Sequence, residues 1–536
     1  MTGPARAADE AAVAPERADA GARPGMTHKV RLLYTAGLVT AIEIIGAVLG
    51  LLRDVLLAHY FGASAETDAF LVAWMIPETA SPLLMEGALA YLLVPRLARE
   101  LELRGTVQRV LDRSVIPLGL LLAGLTALVA LLAPGLVAVL APGLAEPELA
   151  VRCVRAAAPT ILFLGLSGVL MATLRAHQRF LVPAWVYVVY NVGILACLLL
   201  LHDRLGIFAA ALGLSVGAAG MVALQLGPFL RRVHVRNLRL GLDRGLLLAA
   251  VAFLPVGLYT LGRQAQVVVE RFFGSTLDAG TISHLNYATK VAQIPLALAM
   301  AIAMVSMPSL ARHAAGGRTD ELRAGVEQTL RLAVLVILPA IAALVACAPQ
   351  VIQFLFLRGE FTAGDVAETA VIMRVYAVGL LGQTLVGVLA TCYWSRAQRT
   401  WWPAVATASG LAATVGVSVL AVGPLGATGL ALANAVGITV AAALLLVGLR
   451  SRVVALPYTP LLGLLARATV AGGAAGLAAW AVLRGVGDSL PVAPAVVVGG
   501  LVVAAVYGAT TWVLQVPEVR AGATALVRRT RGRAAD

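Results

Sequence analysis

Apolar residues run along this chain in blocks of about 20 or more, the length that crosses roughly 30 Å of hydrocarbon. The blocks fall at 32–58, 68–97, 115–141, 151–174, 182–202, 206–230, 245–272, 281–311, 325–349, 366–394, 401–422, 425–449, 461–483 and 490–515. No polar stretch between them exceeds about 20 residues, too short to fold as an extramembrane domain. The pattern predicts an all-α polytopic membrane protein with about fourteen transmembrane helices. It leaves a polytopic glycosyltransferase without a loop to carry its catalytic acids.

Composition agrees. The 536 residues are 60% hydrophobic and 13% charged, against about 25% charge in an ordinary soluble chain. The net charge of +13 suggests nucleic acid at first sight, but arginine-rich cytoplasmic loops account for it. Arginine clusters in every second connection, for example Arg96, Arg99 and Arg104, then Arg231, Arg232 and Arg236, then Arg312, Arg318 and Arg323. The intervening connections hold single arginines at most: Arg152, Arg204, Arg271, Arg358 and Arg484. This alternation implies an even number of spans with both termini in the cytoplasm. Cys153, Cys197, Cys347 and Cys392 are far apart and in or beside apolar segments, so no metal or disulfide framework is expected.

An internal repeat divides the chain. "YFGAS" and "VPRLAR" in the first half match "FFGST" and "MPSLAR" in the second, and "RAHQRFLVPA" matches "RAQRTWWPA". Gly62 pairs with Gly274, Pro95 with Pro308 and Gln178 with Gln398, an offset of about 212 to 220 positions throughout. Six spans separate equivalent points, so the copies are parallel repeats about an axis along the membrane normal. The expected division is a disordered cytoplasmic tail over 1–28, a first lobe over 29–232, a second over 233–452, two additional helices over 453–516 and a basic tail over 517–536. The six-helix lobes are expected to flank a central cavity.

Charges inside the apolar blocks are costly, on the order of 2.5–3.5 kcal/mol each on insertion scales, and seek a cavity or a partner. The first span carries Glu43, Arg53 and Asp54, with Gly46, Gly50 and Arg53 on one face. The second carries Asp68, Glu78 and Glu86, with Pro77 and Pro82 interrupting the helix between the glutamates. The seventh presents Arg263, Gln266 and Glu270 on one stripe, and the eighth Asn286, Lys290 and Gln293. A basic group from Arg53, Arg263 and Lys290, with Asn286 and Gln293 beside it, suits an anionic diphosphate headgroup. Asp54, Asp68, Glu78, Glu86 and Glu43 would balance charge or couple to cations. Plainer readings stay open: Lys290 snorkelling to the interface, Arg53 and Asp54 as a structural ion pair with Asp68 nearby, and Glu270 with Arg271 at the membrane edge.

The stretch "VLGLLRDVLLAHYFGASAETDAFLVAWMIP" with "MEGALAYLLVPRLA", then "HQRFLVPA" with "YNVGIL", then "FLFLRGEFTAGDVAETAVIMRVYAVGLLG", "YWSRAQRTWWPA" and "GPLGATGLALANAVG", resembles the MurJ/MviN family. These are lipid II flippases of the multidrug/oligosaccharidyl-lipid/polysaccharide exporter superfamily. The resemblance spans about residues 30 to 515. It implies two six-helix lobes plus two helices, and transfer of an undecaprenyl-diphosphate-linked peptidoglycan precursor from the inner to the outer leaflet. Under it Arg53, Asp54, Asp68, Glu86 and Asn191 match family positions. Ala47 and Ser81 stand where the family has further arginines, Lys290 where it usually has arginine, and Gln293 where an acid is common. The family's sodium-site residues have no evident match in the seventh and eleventh spans.

The resemblance therefore implies a transporter and not an enzyme. It implies no cofactor, coupling to membrane potential or a monovalent cation, a lipid-linked saccharide as partner together with membrane lipids and cell-wall synthesis enzymes, and no nucleic acid. Three rivals stand beside lipid II: another lipid-linked oligosaccharide, a drug/cation antiporter of the same superfamily, and a non-transporting cell-wall scaffold.

Overall fold

A computed structural model describes residues 28–233, 244–394, 401–486 and 490–520. The readings made for the tail over 1–27, for Arg236, for Gln398 and for the basic tail beyond 520 lie outside these residues, as does the side chain of Glu86.

Among the described residues the chain is helical throughout. The first lobe comprises α1 (His28–Phe61), α2 (Ala65–Ser81), a π-helical segment (Pro82–Gly87), α3 (Ala88–Arg104), α4 (Gln108–Leu131), α5 (Ala133–Leu140), α6 (Pro147–Ala157), α7 (Pro159–Ala176), α8 (Leu181–Ala184), α9 (Val186–Leu205) and α10 (Phe208–Leu230). The second comprises α11 (Arg244–Gly274), α12 (Thr281–Ala315), α13 (Thr319–Ala346), α14 (Ala348–Phe356), α15 (Ala363–Trp394) and α16 (Trp402–Arg452); α17 (Tyr458–Val486) and α18 (Val492–Val513) follow. Ten of the described helical stretches are long and apolar enough to cross a membrane. One of them, α16, merges two spans across Gly426, whose φ of 53° and ψ of −133° break the helix just after Pro424.

Proline and glycine set most breaks. Pro134, Pro159 and Pro349 lie at the first positions of α5, α7 and α14, where the missing N–H costs nothing. Pro82 removes a hydrogen bond inside the second apolar block, and the helix widens into the π turn there. Gly62, with φ of +61°, turns α1 into α2, and Ser64 then caps α2 by accepting from the Thr67 amide at 3.3 Å.

Each lobe has its own apolar core. In the first, α9 and α10 approach so closely that a methyl group on Gly217 would collide with the Tyr190 carbonyl. In the second, α15 and α16 are joined by the Tyr393 hydroxyl donating to the Leu445 carbonyl at 2.8 Å. The pair α17–α18 packs on the outside of this lobe. Ala468, Ala471, Ala475 and Ala479, all fully buried, let α17 lie flat on Leu338 and Ala342 of α13. Arg331 of α13 clasps Glu518 beyond α18 at 2.6 Å.

Candidate functional site

Arg53 is spent inside the first lobe. Neighbours in sequence do not face each other on a helix, yet the guanidinium folds back so that Nε and Nη2 both donate to Asp54 Oδ1, at 2.9 and 2.7 Å. Nη1 donates to Asn191 Oδ1 at 3.1 Å, and the group lies 4.1 Å over the Trp74 ring. The Asn191 amide nitrogen donates in turn to the carbonyls of Gly46 and Tyr187. Arg53 is 7% and Asp54 5% exposed. Of the readings left open for this pair, the ion pair is the one present, completed by Asn191 and not by Asp68.

Lys290 does not snorkel. Its Nζ lies 3.0 Å from Glu78 Oε1, an ion pair between α12 of the second lobe and α2 of the first. Gln264 of α11 reinforces the junction by donating to the Glu78 carbonyl at 2.7 Å. The two charged side chains are 22% and 21% exposed, so the seam between the lobes is not sealed at this depth. Arg271 and Arg53 also lie near enough to act electrostatically on the Glu78 carboxylate. Of these cations only Lys290 touches Glu78.

Arg271 takes the place at this junction that the sequence offered to Arg263. Its Nη1 donates to the Ile282 carbonyl at 3.0 Å and its Nη2 to Asn286 Oδ1 at 3.1 Å, while Nε is buried without a partner. Both partners are uncharged, and the side chain is 4% exposed. Asn286, 7% exposed, serves to orient this guanidinium. Arg263, Gln293 and Glu43 are exposed and are not drawn into the cluster. Ala47 is also exposed.

Glu270, next in sequence to Arg271, is 8% exposed within the second lobe. Asn434 of α16 donates to its carboxylate, and the Tyr376 hydroxyl adjoins it, with the Thr289 hydroxyl beside Tyr376. Asn434 Oδ1 is buried without a partner. The sequence signal for this group was faint: a lone amide in an apolar run, and a glutamate one residue from an arginine near a helix end.

The arginine-poor end of the bundle is closed. Asp68 of α2 caps the start of α12, accepting from the Gly280 amide at 2.8 Å, the Ser283 amide at 2.7 Å and the Ser283 hydroxyl at 2.6 Å. The Tyr287 hydroxyl donates to the Gly62 carbonyl, and the Glu360 amide to the His59 carbonyl at 2.9 Å. Gly280, with φ of +92°, permits the approach: a methyl group there would stand 2.5 Å from the Ala63 carbonyl oxygen. Toward the arginine-rich end, α12 leaves Ile294, Leu298, Met304 and Val305 exposed, and α1 leaves Ile44 and Val48 exposed. The lobes are bolted at the arginine-poor end by the Asp68 cap and these bonds, and α11 also meets α3 of the first lobe toward the arginine-rich end.

Residues 57–487 match the family model described as lipid II flippase MurJ. The chain belongs to the MurJ family. It is 31% identical over 393 residues to a probable lipid II flippase MurJ of Vibrio cholerae, covering 69% of this chain and 74% of that protein. It is 28% identical over 434 residues to the lipid II flippase MurJ of Burkholderia cenocepacia, covering 77% and 83%. Among solved structures, a lipid II flippase MurJ in an inward closed conformation matches with a TM-score of 0.71 and 19% identity, over 89% of this chain and 99% of that one. An inward-facing MATE-family multidrug transporter matches with a TM-score of 0.66 and 14% identity, over 78% and 98%. The structural likeness carries the fold: an all-α, multi-pass membrane protein of the MurJ and MATE architecture.

Proposed function

We propose that this chain flips a lipid-linked, diphosphate-bearing peptidoglycan precursor, lipid II foremost, from the inner to the outer leaflet of the cytoplasmic membrane. The carrying observation is the Lys290–Glu78 pair, 3.0 Å across the seam between the lobes, with Arg271 and Arg53 in electrostatic range. The names of the family's curated members support the substrate class. The arginine-rich connections face the cytoplasm, with both termini on that side.

Glu78 holds Lys290. A diphosphate entering from the arginine-rich end competes for that ammonium and for Arg271, the cation whose described partners are neutral. A charge stripped of its partner in a low-dielectric site costs about 3–5 kcal/mol. The headgroup supplies Lys290 with a replacement anion, so binding loosens the joint between lobes and leaves the Glu78 carboxylate to the field of Arg53. Opening at the other end then requires Asp68 to release α12. Rocking of the lobes about the seam delivers the headgroup outward.

Coupling runs through Glu270. Its carboxylate, Asn434 Oδ1 and the neighbouring hydroxyls offer oxygen donors to a proton or a monovalent cation inside the second lobe. The lipid-linked saccharide and surrounding lipids are the partners, and the chain acts as a transporter without a cofactor.

Depletion of the protein, followed by identification of the lipid-linked intermediate that accumulates on the inner leaflet, tests the assignment. Accumulated lipid II supports it. A different lipid-linked saccharide would name another cargo. No accumulated intermediate would favour a scaffold.

A further inference from the structure

An apolar cavity of about 400 Å³ lies behind the α2–α11 contact, on a different face of α2 from Glu78. Met75 and Thr79 of α2 and Leu83 of the π-helical segment form one wall. Val137 of α5 and Val154 of α6 form another, and Val268 of α11 closes it from the second lobe. The volume falls in the range of about 300–1,000 Å³ typical of small-molecule sites.

Three observations define what fits. The Thr79 hydroxyl is the single polar side-chain group in the lining; a buried water wants two to four polar partners, so water does not fill this space. Leu125 of α4 lines the cavity yet is 42% exposed, and its neighbours on the same helix, Leu121, Leu128 and Leu131, are 67%, 50% and 76% exposed. In a membrane that face meets hydrocarbon, so the mouth opens on acyl chains. An empty apolar void forfeits the dispersion contacts of everything that lines it.

We propose that this cavity holds one acyl chain of a membrane phospholipid, seated between the two lobes. The mouth lies on the lipid-facing side of α4 and not at the charged seam, so bulk phospholipid is the occupant and not the tail of a bound substrate. Because Val268 belongs to one lobe and the rest of the lining to the other, the chain becomes part of the joint on which the lobes move. The inference does not depend on the identity of the cargo.

The test uses the full chain in vesicles of phosphatidylethanolamine and phosphatidylglycerol, with a fraction of the phosphatidylglycerol carrying a diazirine in mid-chain. After irradiation, adducts are mapped by peptide mass spectrometry. Met75 and Val137 are 4% and 2% exposed, beyond the reach of lipid around the protein, so adducts there report occupancy. Adducts at both are expected. Ala80 also lines the cavity; Ala80→Trp, which fills it, lowers them at least about fivefold, while labelling of Leu420, 77% exposed on the second lobe, stays unchanged. Val154→Phe narrows the opposite wall and gives the same loss if Ala80→Trp fails to insert. Adducts confined to exposed residues, adducts at Met75 and Val137 undiminished by either filling variant, or labelling there by a diazirine polyprenyl phosphate but not by the phospholipid would each overturn the proposal.

Discussion

Glu78 and Lys290 stand 212 positions apart along the chain and 3.0 Å apart in space. The same interval separates Asp68 from Gly280, which also meet, and Gly62 from Gly274, the matched glycines of the two repeats. A residue and its mate about a two-fold axis touch only when both lie beside the axis. The two contacts therefore mark the joint between lobes at two depths: an ion pair within the membrane and a helix cap at the closed end. At the first, the repeats have diverged to opposite charge, so the joint attracts itself and holds an ammonium that an anion can compete for.

Lys290→Gln leaves Glu78 facing Arg53 and Arg271 alone and removes the ammonium from the seam. Headgroup transfer in proteoliposomes is expected to fall about tenfold or more, the effect of losing about 1.4 kcal/mol of differential binding. The reversed pair, Glu78→Lys with Lys290→Glu, is expected to restore thermal stability in detergent but not transfer. Transfer at the wild-type rate in Lys290→Gln would remove Lys290 from the cargo's path.

Asp68→Ala removes the cap on α12. A lost cap costs about 0.5–2 kcal/mol, which shifts an open–closed equilibrium by about 2- to 30-fold. Ser275, 4% exposed at the same end, supplies the reporter: as Ser275→Cys it should react faster with a membrane-impermeant maleimide when Asp68 is Ala. Equal rates in the two backgrounds would show that other contacts hold this end shut.

The helical, two-lobed design was legible because hydrophobic runs and a repeat are one-dimensional signals. The Arg53–Asp54 pair was legible as one of the open readings, the Lys290–Glu78 pair not at all. Arg53 and Asp54 diverge on an ideal helix, and Asn191, 138 positions away, together with the Trp74 ring, orients the guanidinium back onto its neighbour. Arg263 looked the better cavity cation because it sits deeper in its span than Arg271. Yet α11 presents Arg271 to Ile282 and Asn286 of α12, a packing relation that no spacing encodes. Asp68 reads as an acid in the first turn of α2; that it caps a helix of the other lobe is a fact of assembly.

Arg53→Ala strands Asp54, which is 5% exposed. Breaking a buried pair from one side costs about 3–5 kcal/mol, so a lower melting temperature and reduced expression are expected. The double variant Arg53→Ala with Asp54→Ala should recover much of that stability. If the double variant also transfers cargo normally, Arg53 is architectural; if it folds and does not transfer, the guanidinium also acts on the headgroup through the field it shares with Glu78. Melting curves and transfer on one preparation separate the two.

Glu270→Gln keeps the size of the side chain and its contact with Asn434 but removes the negative charge. Should Glu270 carry the coupling ion, this variant loses the dependence of transfer on an imposed proton or sodium gradient, while its rate without a gradient stays near that of the wild type. Asn434→Ala, which removes the partner that donates to the carboxylate, should weaken the same dependence and leave the carboxylate in place. A purely structural role gives the opposite pattern: both variants lose stability and lower the rate by the same factor at every gradient. Transfer measured across a series of imposed pH and sodium differences in sealed vesicles distinguishes these outcomes. A gradient response that survives in Glu270→Gln would place the coupling elsewhere in the protein.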